Sequence, residues 1–415
     1  MFGDLPILAL GAIFAASAAV IWVAGVQLSN TTDVISVRFG LGQALGGVIL
    51  LAIATNLPEI AITAGAAWSG DLGVAVGNIL GGIAIQTVVL ALLDACGMDD
   101  PRPLTYRAAS LTLVIEGLLV IAVLIVAVMA TQLPANLIML RLTPDAVLIA
   151  IFWAAGVWLI GRANRSLPWH DSAGDAPDTQ ERPKGHSKAD REQGVICPKQ
   201  GSGQAIAIFA LAAVATLLCG VTIEESGSAL AAHIGMSGVL FGATILAAAT
   251  ALPEVSTGLA STRLKDYQLA FSDIFGGNAF LPVLFLLATL LSGKAVLPSA
   301  HATDIYLAAL GILLTCIYMT GLIFRPRRRV LGMGIDSLLV VILYLVGLAG
   351  LVAVAGRGGL SGPLSRGRRL RRSQSPCRPA PGRRSRCRWS GSDSGYPAGR
   401  RRAGPERPPH RPRRR

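Results

Sequence analysis

Charge is scarce in this 415-residue sequence: Asp, Glu, Lys and Arg make up 15% of it, against 52% hydrophobic residues. A soluble domain needs a charged surface, so this composition argues against the soluble globular class. Cysteine is sparse and badly spaced for chemistry. Cys96, Cys197, Cys219, Cys316, Cys377 and Cys387 contain no CxxC pair and stand near no histidine cluster, which argues against structural zinc and a disulfide framework. The histidines (His170, His186, His233, His301 and His410) form no ligand spacing. HExxH, an Asp pair and a usefully placed Ser or His nucleophile are all missing, so the chain is not expected to be a membrane-embedded enzyme. A basic n-region followed by a small-residue cleavage site is missing too, and the first apolar block reads as a retained helix.

What the sequence has is long apolar runs. A helix needs about 20 apolar residues to cross the hydrocarbon core. Ten such blocks occur, at roughly 5–28, 43–67, 72–94, 108–131, 143–161, 204–223, 237–260, 267–292, 303–324 and 332–356. The expected fold is an all-α membrane protein of about ten transmembrane helices.

The blocks repeat. A shift of 195 residues lays residues 25–94 over 220–289 without a gap, with 20 of 70 positions identical. The best stretch sets Ala54-Thr55-Asn56-Leu57-Pro58-Glu59 over Ala249-Thr250-Ala251-Leu252-Pro253-Glu254, and Gly81-Gly82 falls on Gly276-Gly277. Shared apolar composition does not place a Thr, a Pro and a Glu in register twice. Five blocks precede a polar stretch and five follow it, and an odd number per half turns the second half over in the membrane. That is the inverted-repeat plan of many secondary transporters, with sites near the midplane. The expected organisation is a first five-helix repeat at 1–161, a polar cytoplasmic linker at 162–203, a second repeat at 204–356 and a tail at 357–415.

Lys and Arg in short loops set orientation. With the N-terminus outside, the cytoplasmic loops hold Arg38, Arg102, Arg107, Arg162, Arg165, Arg263, Lys265, Arg325, Arg327, Arg328 and Arg329, whereas the outer loops hold little beyond Arg141 and Lys294. Both termini are therefore expected outside, in a cell inner membrane. The formal net charge of +13 misleads here, because residues 357–415 contain 19 arginines, no lysine and only Asp393 and Glu406 as acids. Arginine without lysine, among Gly, Pro and Ser, is what GC-rich DNA yields in a wrong frame, and the tail is assigned no function. The other reading is a disordered basic tail held on anionic lipid or nucleic acid. The expected partners are inorganic cations and the lipid bilayer, without nucleic acid.

Glu59 and Glu254 sit inside apolar blocks. A carboxylate at the bilayer centre is costly unless it is paired, protonated or metal-bound. No Lys or Arg lies in the same blocks at a depth to pair with them. A lone glutamate could as well be a protonated residue making one interhelical hydrogen bond, but two at matching positions point to a cation site. Pro58 and Pro253 remove a backbone donor and free a carbonyl one turn back, although a plain kink is the other reading of such a proline. Thr55 and Thr250 add hydroxyl oxygens, and Asn56 adds an amide oxygen in the first half only. Hard cations such as Ca²⁺ and Na⁺ take oxygen ligands of this kind. The Gly-Gly pairs let helices approach closely. Asn78 and Asp273 match each other one turn before those pairs and are expected as polar partners behind the ligands. Gln86, Asn278 and Glu116 are weaker candidates, and Glu224 and Glu225 read as solvated near a helix end. The candidate set is Glu59, Glu254, Thr55, Thr250, Asn56, Gln86, Asn78 and Asp273, with no resident cofactor because Ca²⁺, Na⁺ or H⁺ would be cargo.

The repeated T-x-L-P-E, followed by a Gly-rich helix with polar residues, resembles the alpha repeats of the calcium/cation antiporter superfamily, which includes sodium/calcium exchangers. The resemblance covers roughly residues 5–356. It implies ten helices in two inverted halves, exchange of Ca²⁺ for Na⁺, K⁺ or protons, and a site using Glu59, Glu254, Thr55 and Thr250. This sequence departs from the family in three places. The family usually has Ser after the Thr, where Asn56 and Ala251 stand here. It usually has Gly-Ser on the following helix, here Gly82 and Gly277, and Asn or Asp four residues further on, here Gln86 and Leu281. Several oxygens expected around bound Na⁺ are therefore absent, most of all in the second half. The expectation is an antiporter working by alternating access, in which one Ca²⁺ competes with Na⁺ or H⁺ for two shared carboxylates, burial favouring the neutral carboxyl. The alternatives are a cation/proton antiporter of other ion preference, or a non-transporting relative acting as sensor or scaffold.

Overall fold

The computed structural model describes residues 2, 5–39, 48–163, 202–236, 241–263 and 265–360. Inside a bilayer no water bonds to the backbone, so each apolar block satisfies its own N–H and C=O groups by coiling into a helix. The first half contains α1 (Ile7–Phe39), α2 (Val48–Thr55), α3 (Leu57–Ser69), α4 (Leu72–Cys96), the short α5 (Leu104–Ala108), α6 (Leu111–Ala130) and α7 (Pro144–Ala163). The second contains α8 (Ser202–His233), a π turn (Gly242–Leu246) leading into α9 (Ala247–Thr250), then α10 (Leu252–Arg263), α11 (Tyr267–Phe280), α12 (Leu284–Ser292), α13 (Ala302–Phe324) and α14 (Ile335–Leu360). Among the described residues eight helices are long and apolar enough to cross a membrane, and the segments around Ala251 supply a ninth span bent by 46°. The counterpart of that bent span is α2 with α3. The chain is an all-α membrane protein of two inverted five-helix repeats.

The lengths of α1 and α8 differ from expectation. They run for 33 and 32 residues, about 50 Å at 1.5 Å per residue, and pass well beyond the apolar blocks. The two helices pack on each other, and this contact carries the helix through residues too polar to mark it in sequence. Glu224 and Glu225 accordingly lie within α8, half-buried, and not at a solvated end. Glu224 accepts a hydrogen bond from Ser228 Oγ at 3.2 Å. The linker and tail expected at 162–203 and 357–415 fall outside the described residues except at their edges, as do the expected starts of the second and seventh blocks.

The repeat is visible in backbone detail. Asp71 and Asp266 cap α4 and α11, each accepting from the backbone N–H three residues on, at 3.4 Å (Val74) and 3.1 Å (Leu269). The residues before these caps, Gly70 and Lys265, both turn through positive φ, at 85° and 61°. The helix breaks correspond as well. Proline lacks the N–H of the i→i−4 bond and crowds the carbonyl one turn back. One turn is therefore relaxed at Asn56 (φ −86°, ψ 14°) and at Ala251 (φ −78°, ψ 1°).

Each broken helix is held by the long helix of the other half. A Cβ built on Gly25 of α1 would lie 2.9 Å from Pro253 Cα, and one on Gly220 of α8 would lie 3.2 Å from Pro58 Cα. Gly25 and Gly220 are themselves repeat equivalents. Only a residue without a side chain lets backbones approach so closely.

A second crosswise contact ties the ends of the spans. In the α6–α7 connection Met139 bridges Leu142, and Arg141 Nη1 donates to the carbonyls of Leu290 and Leu291 at the C-terminus of α12, at 3.1 and 3.4 Å. In the α13–α14 connection, strands β1 (Arg329–Val330) and β2 (Met333–Gly334) pair antiparallel. Arg329 donates from there to Asp94 O near the C-terminus of α4 at 2.6 Å and to Asp100 O at 2.8 Å. A guanidinium at a helix C-terminus meets orphan carbonyls and the negative end of the dipole. Asp94 closes the second clasp: its buried carboxylate accepts from Leu104 N (2.8 Å), Gly334 N (2.7 Å) and Ser337 Oγ (2.8 Å).

Two substitutions test this framework. Asp94→Ala strips three buried donors of their acceptor, at about 1–3 kcal/mol each. The expected result is a fall in the melting temperature of detergent-purified protein, or failure to accumulate, with Asp94→Asn milder. Gly220→Val drives two methyls at the Pro58 backbone, and the expected cost is about 1–3 kcal/mol or more by overpacking. An unchanged melting temperature for either would contradict the packing described.

Candidate cation site

The site is built at the two helix breaks. Glu59 lies in the first turn of α3 and Glu254 in the first turn of α10, where the helix dipole favours a carboxylate. Both are fully buried. The described ion pairs, Asp100 with Arg102 and Arg107 and His301 with Asp304, all lie elsewhere, so no described cationic side chain neutralises either glutamate.

The threonines act across the repeat axis. Thr250 of the second half faces the Glu59 carboxyl, and Thr55 of the first half faces the Glu254 carboxyl. Each hydroxyl also bonds back along its own helix, Thr55 Oγ1 to Ala52 O at 3.3 Å and Thr250 Oγ1 to Ala247 O at 3.2 Å. Both oxygens of Glu59 and Oε2 of Glu254 are buried without a hydrogen bond to any described donor.

The amides gather on one side. Gln86 Nε2, on α4, stands 3.4 Å from both Glu254 Oε1 and Asn56 Oδ1, and Asn56 Nδ2 donates to Ala52 O at 2.6 Å. Asp273, on α11, accepts from Thr257 Oγ1 and is close enough to act on Glu254 electrostatically, as is Glu59. The structure thus brings Glu59, Thr250, Glu254, Thr55, Gln86 and Asn56 into one buried cluster with Asp273 beside it. Asn78 is placed differently. It is fully buried, neither end of its amide has a hydrogen bond to a described residue, and its backbone lies against the π turn at Gly242. No described contact joins it to the glutamates.

Sequence reasoning did not single out Thr257. It follows Glu254 by three residues, the spacing that puts both on one helix face, and that spacing was the available signal. Two further buried polar pairs cross between the halves. Asn278 Nδ2 donates to Thr87 Oγ1 at 3.1 Å, and Ser272 Oγ donates to Glu116 Oε1 at 3.0 Å. Glu116 Oε2 has no hydrogen bond to a described residue, and Glu116 lines a cavity of about 30 Å³ beside Ala52 and Gly276, room enough for a water.

Chemically, two uncompensated carboxylates, two hydroxyls and two amides form an oxygen-rich cluster suited to hard cations. Among the described residues no three His, Cys, Asp or Glu side chains converge as a metal cluster. A bound cation would therefore complete its shell with neutral oxygens. The prolines deprive the carbonyls of Ala54 and Ala249 of their helical donors, and the two threonine hydroxyls face the glutamates.

Known proteins share this plan. The profile of the sodium/calcium exchanger protein family matches residues 9–161 and 204–353, which are the two halves. A putative antiporter, CaxA, of Alkalimonas amylolytica is 27% identical over 290 residues, covering 69% of this chain and 82% of its own length. The inner membrane protein YrbG of Escherichia coli (strain K12) is 24% identical over 281 residues, covering 67% of this chain and 78% of its own length. Among solved structures, the sodium-calcium exchanger NCX_Mj superposes with a TM-score of 0.54 at 15% identity, over 83% of this chain and 99% of that one. The H+/Ca2+ exchanger CAX superposes with a TM-score of 0.55 at 14% identity, over 84% and 82%. At such identities the structural likeness shows the fold. The family match spans both halves and most of the chain: this multi-pass membrane protein belongs to the sodium/calcium exchanger family.

Proposed function

We propose that the chain is an antiporter that binds Ca²⁺ at Glu59 and Glu254 and exchanges it for Na⁺ or H⁺ by alternating access. The observation that carries this reading is the pair of fully buried glutamates at equivalent helix breaks, with no described cationic partner and with three carboxylate oxygens that no described donor bonds. Left ionised and empty, such a pair is expensive in hydrocarbon. The cost is met when one divalent ion, or two monovalent ions or protons, brings the charge to zero. The site therefore favours being filled while it changes sides, and filling by either class excludes the other. Competition for shared carboxylates is what makes transport an exchange.

Roles follow from placement. Glu59 and Glu254 would be the charged ligands. Thr55 and Thr250 would each complete the shell of the other half's glutamate, tying the two halves to the same ion. Gln86 and Asn56 would hold Glu254 and offer amide oxygens beside it. Asp273, held by Thr257, would tune the field from behind Glu254. The relatives named as a sodium-calcium exchanger and as an H+/Ca2+ exchanger agree with either choice of counter-ion.

The test is ⁴⁵Ca²⁺ uptake into proteoliposomes under an imposed Na⁺ or H⁺ gradient. Glu59→Gln and Glu254→Gln keep the shape and remove one charge each. Loss of a charge-assisted contact is worth about 1.5–3 kcal/mol, so uptake at limiting Ca²⁺ should fall roughly 10–100-fold in each. Parental uptake by both variants would rule out this site.

A further inference from the structure

Two small clusters occupy repeat-equivalent positions at the helix breaks and on the helices that follow them, and they have opposite character. One consists of Asn56, Gln86 and Gly277. A Cβ on Gly277 would lie 2.8 Å from Asn56 Nδ2 and 3.6 Å from Gln86 Oε1, so the amides occupy the space the glycine leaves open. Gln86 also reaches Glu254 Oε1. Whichever way each amide is turned, it presents one carbonyl oxygen here.

The equivalent residues on the other flank are Ala251, Leu281 and Gly82. A Cβ on Gly82 would meet Leu281 Cδ1 at 3.6 Å, the one contact within 4 Å among the described residues outside its own turn of helix. Leu281 and Ala251 are buried members of the main apolar core. The same glycine space is thus filled by amides on one flank and bordered by hydrocarbon on the other. Substitutions that look like independent losses in sequence are matched in shape across the interface: Gly277 admits the larger Asn56, and Gly82 leaves room beside Leu281.

We infer that a second monovalent cation beside the glutamate pair can be held on the amide flank only, so that at most two are bound and the chain exchanges one divalent cation for two monovalent cations or protons and moves no net charge. The inference rests on the exchanger reading above. Two carboxylates are neutralised by one divalent or two monovalent ions. A third monovalent ion would need oxygen ligands on the flank of Ala251, Leu281 and Gly82, and an unligated ion cannot be buried cheaply there. Asp273, bonded by Thr257 Oγ1 behind Glu254, keeps the same protonation in both loaded states and so does not enter the charge moved.

The experiment uses full-length protein in liposomes, with the membrane potential clamped by K⁺ and valinomycin at zero and at 100 mV of either sign. Ca²⁺ accumulation driven by a fixed Na⁺ or H⁺ gradient is measured at each potential. Electroneutral exchange predicts the same final accumulation at every potential. One uncompensated charge would instead shift it about fifty-fold per 100 mV, and such a shift overturns the inference while leaving the exchanger reading intact. No exchange under either gradient overturns the exchanger reading and the inference with it. A second variant addresses the flank itself. Ala251→Asn combined with Leu281→Gln supplies the missing amides beside Gly82, and its exchange is expected to become potential-dependent. A variant that exchanges as fast as the parent and stays potential-independent would show that this flank does not set the charge moved.

Discussion

Two carboxylates buried in an apolar bundle without a described cationic partner are the constraint to which the rest of the structure responds. Each stands at the start of a helix that a proline has broken, where backbone dipoles favour negative charge and a carbonyl one turn back is freed. The break needs space, and the space comes from a glycine on the long helix of the opposite half. Gly25 closes on Pro253 and Gly220 on Pro58, so each break is covered by the other half. The crossing threonines have the same logic, since each glutamate faces a hydroxyl from the other repeat.

That reciprocity extends to the ends of the spans. Arg141, on a connection of the first half, covers the last carbonyls of α12, and Arg329, on a connection of the second half, covers those of α4. The bundle is held as two interlocked copies of one motif. The two copies differ at the centre, where Asn56 and Gln86 of the first stand in the places of Ala251 and Leu281 of the second.

Much of this fold is legible in the sequence because its cause is local. Apolar runs of spanning length must be helices in a membrane, and the register of Thr, Pro and Glu at a shift of 195 residues exposes the repeat. The belonging to an exchanger family follows from the same residues. Less legible are features caused by contact. α1 and α8 continue past their apolar stretches because they pack on each other, which carries Glu224 and Glu225 into a helix. The π turn before α9 and the role of Gly25 and Gly220 depend on the crossing of helices from different halves. At the candidate site the glutamates, Thr55, Thr250, Asn56, Gln86 and Asp273 are nameable from spacing, and they do gather. Asn78 matches Asp273 in the repeat, yet no described contact joins it to the glutamates, because register places a residue along a helix and not toward a given neighbour. The fit of Asn56 against Gly277, and of Leu281 beside Gly82, is invisible until the halves are superposed in space.

The central claim is that one set of carboxylates serves both classes of ion. Equilibrium binding of ⁴⁵Ca²⁺ to the purified chain, titrated against Na⁺ and against protons, tests it most directly. The account predicts a single Ca²⁺ site whose apparent affinity falls as either competitor rises, with full occupancy recovered at high Ca²⁺. Ca²⁺ affinity that stays constant in saturating Na⁺ and across the acid range, in protein that binds Ca²⁺, would contradict it.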